Sequence, residues 1–137
     1  MKKIVFPGIV AAIASLAAMM AVGFLFQFID PSLKASYCNP EIFRPWSDPI
    51  MNIFWFQPFL LAIAIAWIWD KTKQLFTGSL LKNTWNFSVI TLIVSIIPGM
   101  LMSYSSFKIS IIMTMSWTIS GFAQIFVAVL VIGKMNK

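Results

Sequence analysis

Charged side chains are absent from four long stretches of the chain, residues 4–29, 50–69, 83–107 and 109–133. A helix needs about 20 residues to cross a hydrocarbon layer of roughly 30 Å, and each stretch is at least that long. A helix is also the only open-ended element that satisfies its own backbone hydrogen bonds in lipid. The pattern predicts a single all-α domain spanning residues 1–137, an integral membrane four-helix bundle running up-down-up-down, with helices over residues 4–29, 50–69, 83–105 and 109–133. Lys108 alone separates the last two stretches. One helix from Asn83 to Gly133 would extend about 76 Å, more than twice the layer thickness. A turn is therefore expected at Tyr104, Ser105, Ser106 and Lys108, making the third and fourth helices a tight hairpin. The start, Met1-Lys2-Lys3 before an apolar run, also has the pattern of a signal peptide, with Ala14, Ala17 and Ala21 mimicking a cleavage site. The apolar run continues through Val22 to Phe28, longer than a signal core of about 7–15 residues, so an uncleaved first helix is expected.

Within the helices the polar and small residues fall on faces. Ser88, Thr91, Ser95, Gly99, Ser103 and Ser106 recur at spacings of three and four in the third helix. Ser95, Gly99 and Ser103 form a small-xxx-small series that permits close backbone approach. Pro98 beside Gly99 should kink this helix by removing one amide donor and crowding the preceding turn. The fourth helix answers with Ser110, Thr114, Thr118, Gly121, Gln124 and Ala128. The simpler expectation is that these two faces pack together. The sharper one is a groove or polar conduit whose candidate lining residues are Ser95, Gly99, Ser103, Thr114, Gly121 and Gln124, with Gln57 and Gln124 as selectivity groups. Gly8, Ala11, Ala12, Ser15 and Ala18 give the first helix a small-residue surface, and Ala62 and Ala66 do so for the second. Gly23-Phe24 with Gln27-Phe28 faintly echoes Gly121-Phe122 with Gln124 and Phe126.

Residues 30–49 link the first two helices and contain four prolines, which exclude a long regular helix and favour short, stiff turns. Tyr37, Phe43 and Trp46 suit the headgroup level of a bilayer. Glu41, Arg44 and Asp48 are near enough in sequence to form a small charged cluster. Tyr37, Glu41, Arg44, Trp46 and Asp48 are thus the candidate residues of a folded interfacial cap, structural in the simpler reading and partner-binding or lid-like in the other. Trp67, Trp69 and Trp85 fall near the opposite helix ends, as an aromatic belt does, while Trp55 and Trp117 lie deeper.

Composition confirms the solvent and prunes the chemistry. The chain is 60% hydrophobic and 10% charged, against roughly 25% charged in soluble domains, too little to cover a water-facing surface. The net charge of +6 sits at the ends of apolar runs rather than in a patch, which points to lipid headgroups and away from nucleic acid. Seven basic residues (Lys2, Lys3, Lys71, Lys73, Lys82, Lys134, Lys137) would share one side and three (Lys34, Arg44, Lys108) the other. The positive-inside rule then predicts a plasma (inner) membrane protein with both termini and the 70–82 loop cytoplasmic. Cys38 is alone, so no intramolecular disulfide or CxxC redox pair forms. Histidine is absent, which removes the usual haem ligand, the common zinc ligand and the usual catalytic base. Met113 and Met115 point to different faces, against a copper site. No cofactor and no metal are expected.

Ionisable residues inside the spans, the default marker of pumps and exporters, are missing. Cys38, Glu41 and Asp48 lack a local activator for catalysis. The leading expectation is a non-enzymatic protein of helix-helix or loop-mediated association, a homo-oligomer or an accessory subunit of a membrane-protein partner, in contact with membrane lipid. The alternative is a passive channel or transporter for a small neutral or lipid-like solute, and the third a lipid-modifying enzyme at the outer surface.

Overall fold

The computed structural model describes residues 2–136. Six α-helices form: α1 (Lys2–Ile29), α2 (Ser32–Tyr37), α3 (Gln57–Thr72), α4 (Leu80–Thr91), α5 (Ile97–Ser106) and α6 (Ile111–Met135). They build four columns long and apolar enough to cross a membrane, Ile4–Ile29, Pro49–Leu75, Leu80–Ser106 and Ile111–Met135. The all-α four-helix arrangement is the one the apolar stretches predict. No strand occurs among the described residues.

Helix ends differ from the charge-free stretches for local reasons. The second and third columns take in Asp70, Lys71, Lys73 and Lys82, shrinking the connection to residues 76–79. Charge does not by itself end a helix, and Lys73 bonds Asp70 one turn back at 3.1 Å. Asn83 then fixes the turn: its Oδ1 accepts from the Gly78 N–H, and its Nδ2 donates to the carbonyls of Phe76 and Gly78, each at 3.0 Å. Ser79 and Ser110 cap α4 and α6 by accepting from the amides of Lys82 and Met113. The second column begins as a 3-10 helix, Pro49–Phe56, and becomes α-helical only around Pro58. Pro58 has no N–H to give to the carbonyl four residues back, so the chain before it winds more tightly.

Packing is uneven along the bundle. The end bearing Lys71, Lys73, Lys82 and Lys134, the lysine end, is close-packed. Ala11 and Ala12 of α1, Ala62 and Ala66 of α3, and Ala128 of α6 are all fully buried. Gly8 shows how near the backbones come: a Cβ there would lie 2.9 Å from Ile63 Cγ1 and 3.1 Å from Ile63 Cα. Trp69 fills the end of this core, stacked on Phe76 at 5.6 Å and edge-on to Phe87 at 5.9 Å. α1 packs chiefly on α6 and α3, and α4 on α6.

The third column departs from its partner halfway. Residues Leu92–Ile96 form a π turn, and Pro98 follows directly. Proline leaves the Val94 carbonyl without its usual donor, and the widened turn absorbs the misfit. The irregularity expected at Pro98 takes the form of this π turn. Beyond it α5 buries none of its residues, so the third and fourth helices pack closely only in their lysine-end halves.

A candidate ligand cavity at the cap end

Toward the other end the bundle opens. Beyond Ser15, α1 brings Met19, Met20, Phe24 and Gln27 to a cavity of about 910 Å³ that lies between α1, the second column and α6. Its roof is the cap. Leu33 of α2 is buried (1% exposed) against Ile109 and Met113, which seats the short helix on the bundle. The Trp117 Nε1–H donates to the Tyr37 hydroxyl at 2.8 Å. Phe43 fills the angle between these two rings. Trp46 meets Phe54 edge-on at 5.6 Å, and Phe54 meets Trp55 at 5.5 Å, forming an aromatic wall over the second column.

The polar groups are sparse and placed at depth. Gln124 Nε2 donates to Gln57 Oε1 at 3.1 Å on the cavity wall. Below this pair Ile65, Ala66, Ile125, Ala128 and Val129 are at most 3% exposed, so the space ends there. Ser120 and Ser116 also line the cavity, one and two turns toward the cap from Gln124. They are 8% and 2% exposed. Among the described residues neither side chain has a hydrogen-bond partner. Their neighbours behave differently: Thr114 and Thr118 bond back to the carbonyls of Ser110 and Thr114 at 3.1 and 2.8 Å.

Charge is confined to the roof, where Lys34 and Arg44 reach the cavity. Arg44 pairs with Asp48 at 3.0 Å. The Ile50 N–H bonded to Asp48, and then Arg44, hold its carboxyl below the ordinary carboxylate range. Cys38 is a free thiol at the same rim. Among the described residues no group of three or more His, Cys, Asp or Glu is placed to hold a metal ion. No carboxylate among the described residues borders the cavity.

Of the residues singled out by sequence pattern, Gly121, Gln124, Tyr37, Arg44 and Trp46 come together here. Thr114 is buried with its hydroxyl turned to its own helix. Ser95 and Gly99 lie on the open side of the third column, and a Cβ at Gly99 would meet nothing within 4 Å. Ser103 bonds back to the Gly99 carbonyl at 2.9 Å. Asp48 braces the rim through Arg44, and Glu41 stays exposed outside it. Gly23, Phe24 and Gln27 line the same cavity as Gly121 and Gln124, so the two faintly similar segments share one space. Ser116, Ser120 and Lys34 escaped the sequence reading, although the four-residue spacing from Ser116 through Ser120 to Gln124 was a usable signal.

Comparison with protein-family models, curated proteins and solved structures returned no match.

Proposed function

We propose that this is a non-enzymatic protein of the plasma (inner) membrane, with its lysine end cytoplasmic, which binds a lipid-like molecule in the cap-end cavity. The cavity carries the reading: about 910 Å³, walled mostly by aromatic, methionine and aliphatic side chains, with a few convergent polar groups. The bundle exterior supports the setting. Phe6, Ile13, Leu60, Val94, Leu101 and Met102 are among many large apolar side chains left exposed, a surface suited to hydrocarbon. The seven-to-three division of basic residues supports the orientation. The closed inner end favours a binding or carrier site over an open pore, and the absence of a bordering carboxylate weighs against lipid chemistry.

The test is lipid extraction from the purified full chain alongside Gly23→Phe. A Cβ at Gly23 would meet nothing within 4 Å, and the residue lines the cavity. Retained lipid should fall in the variant while thermal stability holds. Equal lipid content in both proteins would overturn the reading.

Association is a second reading, favoured by the open Ser95–Gly99 face, which leaves room for another helix to approach. It makes the chain a homo-oligomer or an accessory subunit. Mass measurement in nanodiscs should show a dimer or co-purifying partner that Gly99→Leu disperses; a strict monomer removes it.

A further inference from the structure

We infer that the cavity selects a neutral lipid bearing carbonyl oxygens, which accept hydrogen bonds from Ser116, Ser120 and Gln57. The inference rests on the lipid-binding reading above and narrows it to a chemical class.

Three observations carry it. Ser116 and Ser120 are more than nine-tenths buried on the cavity wall and have no partner among the described residues. Buried hydroxyls are normally satisfied, and in this helix Thr114 and Thr118 show the usual solution, a bond to the carbonyl four residues back. Thr84 and Ser88 on α4 are unpartnered as well, but they are sealed from accessible space. The two α6 serines keep contact with the cavity, which leaves their hydroxyls available to whatever occupies it.

The second observation is alignment. Ser116, Ser120 and Gln124 follow one face of α6 over about 12 Å. The Gln124–Gln57 bond leaves the Gln57 amide N–H₂ with donor capacity beside that face. A plain hydrocarbon chain would leave both serine hydroxyls and the Gln57 N–H₂ unpaired, whereas carbonyl oxygens spaced along a headgroup or linkage meet them.

The third is charge. The cations that border the cavity, Lys34 and Arg44, are at the roof, and Arg44 is already paired with Asp48. No ionised group lies at the depth of the serines, so an ionised head there would be buried without a counter-charge. The acceptor is therefore uncharged. Phe24, Trp55, Trp117, Met19, Met51 and Met100 supply an adaptable wall for the remainder, a flat ring or an alkyl chain. Lipid quinones and acylglycerols both carry this chemistry.

The full chain in maltoside detergent, which has no carbonyl, is titrated with a decyl-substituted benzoquinone, with dioctanoylglycerol, and with the dioctyl ether analogue of the latter. At least one carbonyl-bearing probe should bind saturably, and dioctanoylglycerol, if it is the source, should bind about tenfold tighter than its ether. Ser116→Ala with Ser120→Ala should weaken the carbonyl probe about tenfold, and Ser120→Thr should restore part of that loss. Should the double variant fold poorly, the wild-type protein answers alone: the infrared carbonyl stretch of the bound probe should move to the hydrogen-bonded position. Binding that is equal for ester and ether and indifferent to the serines, or an unshifted carbonyl stretch, overturns the inference and leaves the lipid-binding reading standing. Saturable binding by none of the three overturns both.

Discussion

Trp117 donates its indole N–H to the hydroxyl of Tyr37 at 2.8 Å across 80 residues of sequence. That bond joins the cap to the fourth span at the cavity's edge, and Phe43 packs against both rings at 5.7 and 6.0 Å. Tyr37→Phe and Trp117→Phe should each lower stability by about 1 kcal/mol, and together by less than the sum. A double-mutant cycle in mixed-micelle unfolding measures the coupling; strict additivity would show that the bond contributes nothing.

The glycines divide by what surrounds them. Gly8→Val forces a side chain against the Ile63 backbone and should destabilise by about 1–3 kcal/mol. Gly23→Ala and Gly99→Ala meet nothing within 4 Å and should be neutral, or stabilising by up to about 1 kcal/mol through helix propensity. Thermal unfolding of the three variants checks the order.

Two hydroxyls should be dispensable. Thr84 and Ser88 are buried with no partner for their oxygens. Thr84→Val and Ser88→Ala remove an unsatisfied group at nearly constant shape, and each should stabilise by about 1 kcal/mol in the same assay.

The cap should keep its rim contact through mild acid. The depressed Asp48 carboxyl contributes stability at pH values above its unfolded range, and that contribution is lost as pH falls through the lower folded value. Amide exchange at Ile50, corrected for intrinsic rates, should stay protected from neutral pH down through the ordinary carboxylate range and rise only below it. Asp48→Asn should raise exchange at neutral pH.

Much of the architecture was legible because charge-free length is a direct physical requirement of hydrocarbon. The four columns, the cap's short turns around its prolines, and the helix irregularity beside Pro98 all follow from residue type. The site was less legible. Small-residue spacing drew attention to Ser95, Gly99 and Ser103, but a π turn shifts the register of the residues beyond it, and periodicity carries no record of a π turn. Thr114 and Thr118 bond back to their own helix while Ser116 and Ser120 do not, a difference in side-chain rotamer that residue spacing does not record. The Gln57–Gln124 contact joins residues 67 apart and needs the assembled bundle.

The most direct measurement places a genetically encoded diazirine amino acid at position 120, irradiates intact cells, and weighs the purified protein and its peptides. Ser120 is 8% exposed, so an adduct formed there reports the cavity rather than the surrounding bilayer. The account predicts a covalent adduct with the mass of a membrane lipid, diminished by Gly23→Phe. Insertion of water or of the protein's own side chains alone would contradict it.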